Sequence, residues 1–129
     1  TEATRLNLSK GATVIHIERV RTFEGRPILL DTVILPAALF GNLGKPDAGN
    51  LPNLLYELYE KQFGITVHRA EEQLRAIVVT EENALLLNLP VGAPLLEIER
   101  VALTLDNTPV ELRVSRINTQ EYRYHNTLV

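Results

Sequence analysis

The chain has 129 residues, 45% of them hydrophobic and 22% charged, a formal net charge of −3, and neither cysteine nor methionine. One ordinary domain with a real core fits that size and composition. No apolar run approaches the ~20 residues of a bilayer span. A disulfide framework and a thiolate metal site are excluded, and the acidic balance argues against gripping DNA through its phosphates.

The first predicted element is a short helix ending in Leu6-Asn7-Leu8, followed by a turn at Gly11. A strand over Val14–Phe23 comes next, then a turn at Glu24-Gly25-Arg26 and a second strand over 28–35. Its opening after Pro27 loses no ladder donor inside the sheet. Residues 36–40 fit one helical turn, and 41–52 carry the Gly, Pro, Asn and Asp of a loop. Leu51, Leu54, Leu55 and Leu58 recur at helical spacing, predicting a helix over 53–63 with Gly64 as its left-handed stop. A strand over 65–79 follows. Thr80 then caps a helix whose first turn holds Glu81 and Glu82, where the dipole favours negative charge.

What comes after that cap repeats the beginning of the chain. Laying Gly11-Ala12 on Gly92-Ala93 also lays Leu6-Asn7-Leu8 on Leu87-Asn88-Leu89 and Ile17-Glu18-Arg19-Val20 on Ile98-Glu99-Arg100-Val101. With one inserted residue, Pro27 meets Pro109. The second copy therefore predicts strands over 95–105 and 110–117, joined at Asp106-Asn107-Thr108. Each unit is a helix plus a β-hairpin, and the sum is an α+β domain around a mainly antiparallel sheet. A strand precedes the helix of the second unit, so an equivalent strand is expected ahead of Thr1.

Charge is placed oddly in these strands. Ile15 and Ile17 share a strand face with Arg19 and Arg21, because side chains alternate. A guanidinium seldom enters a core without an anionic partner, so these arginines either pair with nearby acids or hold an anionic ligand. Arg19 is matched in the repeat by Arg100, but Arg21 by Ala102, so the architecture does not require an arginine at position 21. Asp31 interrupts an apolar strand and needs a partner of its own. A hairpin loop centred on Gly25 sets Asp31 opposite Arg19 on one face, whereas a two-residue Glu24-Gly25 turn sets them on opposite faces. Glu111, Arg113 and Ser115 alternate with Val110, Leu112 and Val114, as either a solvent face with cross-strand ion pairs or the wall of a polar pocket. Tyr56 and Tyr59 read as core or interface. His16, His68 and His125 have no second ligand at metal-site spacing. No GxSxG, P-loop, GxGxxG or HExxH motif is present, and neither a metal nor a cofactor is expected.

Several segments in order carry a family resemblance: Arg19-Val20-Arg21, Gly25-x-Pro27, Leu35-Pro36, Leu55-Tyr56-Glu57-Leu58 with Phe63-Gly64, Gly92-Ala93-Pro94-Leu95-Leu96, and Pro109-Val110-Glu111. Together they resemble the UTRA domain, the effector-binding half of HutC-type members of the GntR regulator superfamily. The resemblance implies a chorismate-lyase-like fold without lyase activity. It also implies a pocket for a carboxylate, phosphate or sugar derivative, a cytoplasmic homodimer, and a winged-helix domain before Thr1 that alone touches DNA. Carried over by position, Arg19 and Arg21 match paired arginines that hold anionic groups. Asp31 stands where glutamate is usual, and Glu111 matches a glutamate that contacts ligand hydroxyls. Three positions depart from the pattern. Leu54 replaces a frequent serine, Ile117 a frequent tyrosine, and Arg113 a small polar residue; the last joins the candidate ligand residues. The alternatives to a sensor are a small lyase or isomerase on this fold, with Glu111 as its acid–base group, and a dimerisation module without a ligand.

Overall fold

The computed structural model describes residues 2–43 and 55–127. Much of the predicted 41–52 loop, together with Leu51, Asn53 and Leu54, lies outside them. The chain runs α1 (Glu2–Arg5), β1 (Val14–Phe23), β2 (Arg26–Pro36), α2 (Ala37–Phe40), a 3-10 turn (Gly41–Leu43), α3 (Leu55–Phe63), β3 (Arg69–Val78), α4 (Glu81–Leu87), β4 (Pro94–Leu103) and β5 (Pro109–Ile117). The five strands form one antiparallel sheet in the order β1-β2-β5-β4-β3.

The repeat seen in the sequence is a structural one. The hairpins β1–β2 and β4–β5 lie side by side, joined where β2 pairs antiparallel with β5, from Leu29 opposite Ile117 to Ile34 opposite Leu112. Their helices, α1 and α4, cover one face. Leu6 of α1's end packs on Ile34, Val101 and Leu112, while Leu87 of α4 packs on Leu30, Val79 and Leu95. Thr80 caps α4 by accepting from the Asn83 amide, and Asn88 ends it in the left-handed conformation. The segment between the repeats covers part of the other face. There α2 and α3 set Phe40, Leu55 and Tyr59 against Ile17, Val33, Leu35 and Ala102. Phe40 meets Tyr59 edge-on at 4.9 Å between ring centres, a favoured aromatic geometry.

The first turn differs from expectation in an instructive way. It is a two-residue turn, Glu24-Gly25, with Phe23 opposite Arg26 and both turn residues at positive φ (52° and 78°). Such a turn matches the twist of its strands and accepts glycine without strain. Left alone it would separate Arg19 from Asp31. A β-bulge at the Arg21/Thr22 step, with Ile28 as the extra residue, shifts the register by one and sets Arg19 opposite Asp31. The second hairpin has a matching bulge at the Ala102/Leu103 step. The strand predicted over 65–79 is shorter, because pairing with β4 starts at Arg69.

Candidate functional site

The register lays out the face under α3 as cross-strand rows. Nearest the hairpin tip of the first unit is the row Arg21, Leu29, Ile117, Leu96, Ala76, in the order β1-β2-β5-β4-β3. The next row is Arg19, Asp31, Ser115, Ile98, Leu74, and the third is Ile17, Val33, Arg113, Arg100, Glu72. Beyond these, Glu111 lies opposite Ala102 under α3. Arg19, Arg21, Asp31, Glu111 and Arg113, the five candidates named from sequence, thus share one face with Arg100 and Glu72.

Most of the charges here are buried and paired. Arg19 and Asp31 are 8% and 2% exposed, and the Arg19 Nη2 donates to Asp31 Oδ2 at 3.3 Å. Ser115 donates to the other Asp31 oxygen at 2.6 Å. Burial lowers the Arg19 pKa; Asp31 opposes that, and the nearby charges of Arg113 and Arg21 add to it. Arg19 therefore stands within electrostatic reach of both Arg113 and Arg21. Arg113 forks onto Glu111, both bonds being 2.9 Å, and its guanidinium carbon sits 5.3 Å over the Tyr56 ring. Burial works against the charge of Arg113, but Glu111 outweighs it and the pKa is raised.

Glu111 is fully buried, and Tyr59 of α3 donates to it at 2.5 Å. Burial and then the Glu111 charge hold the Tyr59 hydroxyl well above its usual range. Both carboxylate oxygens of Glu111 thus already serve Arg113 and Tyr59. The solvent-face reading of Glu111, Arg113 and Ser115 does not hold, because Tyr59 and Tyr56 of α3 lie on Glu111 and Arg113, and half-buried Ser115 is bonded to Asp31.

Four further residues complete the site, and sequence reasoning missed their part in it. Arg100 donates to Glu72 at 2.7 Å, and Tyr124, beyond the last strand, donates to the other Glu72 oxygen at 2.5 Å. Burial would raise the Glu72 pKa, but these two donors prevail and lower it. Tyr56 of α3 has a hydroxyl shielded from solvent with no hydrogen bond of ordinary geometry, within electrostatic reach of Arg100 and Arg113. Arg100 was visible as the repeat partner of Arg19. Glu72 and Tyr124 needed the β3–β4 register and the path of the chain end. Arg21 is half-buried, and no carboxylate pairs with it among the described residues.

A cleft of 450 Å³ on the opposite face is lined by Glu18, Thr32, Arg75, Glu82, Glu97 and Arg116, among others. Its two cations are already bound to Glu97, at 2.8 Å from Arg75 and 3.3 Å from Arg116. Of the histidines, His16 lies exposed beside Glu2, and no group of three or more metal-ligating side chains stands among the described residues. No helix among them is long and apolar enough to cross a membrane.

Residues 1–123 match the model of the UTRA domain. The chain is 27% identical over 120 residues to the mannosyl-D-glycerate transport/metabolism system repressor MngR of Escherichia coli, covering 93% of this chain and 49% of that protein. It is 26% identical over 113 residues to the transcriptional repressor NagR of Bacillus subtilis, covering 88% and 45%. It thus spans about half the length of these curated relatives. Among solved structures it superposes on the ligand-binding domain of a GntR-family transcriptional regulator from Bordetella bronchiseptica. There the TM-score is 0.91 at 35% identity, over 98% of this chain and 80% of that one.

Proposed function

The chain belongs to the UTRA domain family of GntR-type transcription regulators, and on that footing we propose that its α3-covered sheet face senses a small anionic metabolite. One observation carries the reading. Four guanidinium groups, Arg19, Arg21, Arg100 and Arg113, converge on one face with three carboxylates, Asp31, Glu72 and Glu111, in a chain of net charge −3. Among the described residues of this face the excess cation is Arg21. A carboxylate or phosphate takes a two-bond, charge-assisted fork from arginine. Arg19 and Arg113 supply the positive field around that fork. Asp31 and Glu111 fix the arginines in place, Glu111 acting through Arg113 because both of its oxygens are occupied.

The parent protein is a regulator in which a winged-helix domain ahead of this one reads DNA. It works as a homodimer in the cytoplasm, and this domain catalyses no reaction. A ligand can change DNA binding only if it favours one arrangement of the protein over another. The test is a thermal-shift screen of the chain against anionic metabolites. A ligand at about 100 times its dissociation constant adds ~2.7 kcal/mol of stability. A screen in which carboxylates, phosphates and sugar acids all leave the melting temperature unchanged removes the reading.

A further inference from the structure

We propose that the effector is a monocarboxylate with an apolar body, its carboxylate on Arg21 and its body along Leu29, Ile117 and Leu96. The inference rests on the sensing reading above and specifies its chemistry. It starts from the row that Arg21 heads. Every other member of that row, Leu29, Ile117, Leu96 and Ala76, is hydrocarbon. None of the four is fully buried. In the next row Ile98 is buried, but Leu74 remains 50% exposed on the same face. One cation with no carboxylate partner among the described residues thus stands at the end of a hydrocarbon strip that crosses four strands, β2, β5, β4 and β3.

The composition of the strip limits what can lie on it. A sugar needs several donors and acceptors, since a polar site rejects or accepts hydroxyls by pairing them. The strip supplies none. The nearest hydroxyl in the adjoining row, Ser115, is already committed to Asp31 at 2.6 Å. Charge limits it further. Arg19, Arg113 and Arg100 each have a carboxylate, at 3.3, 2.9 and 2.7 Å, which leaves one cation for the ligand among the described residues of this face. A dicarboxylate would place its second charge against hydrocarbon or near Asp31, and a phosphate dianion would set two charges on a single guanidinium; each is costly without a further cation. A single carboxylate on Arg21 with an aliphatic or aromatic body satisfies both limits. The same strip explains why an isoleucine stands at position 117: beside Leu29 and Leu96 it widens the hydrocarbon floor.

The experiment is a calorimetric titration and thermal-shift series on the 129-residue chain. Phenylacetate and hexanoate supply charge and body; acetate supplies charge alone, phenylacetamide the body alone, and glucose 6-phosphate a sugar dianion. The expected result is stabilisation by phenylacetate or hexanoate only, with the negative heat-capacity change of apolar burial. Arg21→Gln should weaken that binding by roughly ten- to a hundredfold. Leu96→Asn should weaken it while leaving acetate as poor a ligand as before. Circular dichroism of each variant separates a folding defect from lost binding, and Leu29→Asn stands in for Leu96→Asn if the latter does not fold. Stabilisation by glucose 6-phosphate and not by the apolar acids overturns the inference but leaves the sensing reading intact. Stabilisation by no member of the series, with a wider anion screen also silent, overturns both.

Discussion

In the first hairpin Arg19 reaches across the strands to Asp31. In the second, the position that the repeat matches to Asp31 holds Arg113, which lies directly opposite Arg100. Two like charges at facing positions repel. The second hairpin resolves this by sending them apart, Arg113 along its own strand to Glu111 and Arg100 outward to Glu72 on β3. The positions of Arg21 and Leu29 are likewise exchanged in character, for Ala102 and Glu111. On the opposite face, where α1 and α4 dock, the hairpins share the apolar pairs Val14 and Leu95, Val20 and Val101, and Leu30 and Leu112, while Ile34 is matched by Arg116. The fold therefore repeats part of its apolar pattern, while the charges on the α3 face differ between the two copies.

The two hairpins should differ most at Glu111. Glu111→Ala leaves Arg113 buried without its counter-charge and Tyr59 without its acceptor, and should cost about 3–5 kcal/mol in urea denaturation. A loss below about 1 kcal/mol would mean that the second hairpin does not depend on its in-strand pair. Asp31→Asn is the corresponding change in the first hairpin. It keeps the size of the side chain and removes the charge facing Arg19, for an expected ~1.5–3 kcal/mol. An effect as large as that of Glu111→Ala would erase the distinction between the two pairs.

Tyr59→Phe tests how α3 is tied to the second hairpin. The ring remains packed on Phe40, so only the hydroxyl bond is lost, at ~1–2 kcal/mol near neutral pH. Its pH dependence has a definite sign. The folded-state pKa of Tyr59 is raised above the usual 10.0, so its contribution is complete below that pH and is lost as pH rises further. The wild-type chain should lose stability above about pH 10, and Tyr59→Phe should lose less over the same range. The smallest effect on stability is expected for Arg21→Ala, within ~0.5 kcal/mol, because no carboxylate among the described residues is stranded by it. Unchanged affinity for the screened anion in that variant would return Arg21 to an ordinary surface charge.

Read as sequence alone, the chain determined its own repeat, its strands and the family to which it belongs. Those depend on local signals: hydrophobic periodicity, turn glycines, and a cap at Thr80 that the backbone uses as predicted. It also named five charged residues that lie together on one sheet face. Tertiary structure alone decided which charge meets which. The Glu24-Gly25 turn by itself gives one register, and the bulge at the next step gives the other; the bulge prevails, keeping Asp31 opposite Arg19. Glu111 could be read as a free ligand contact until α3 brought Tyr59 onto it from 52 residues away. Glu72 and Tyr124, separated by the same span, carried no signal in their own neighbourhoods. Partner choice of this kind depends on register and chain path, which are set by packing the whole sheet, whereas periodicity is written into each strand.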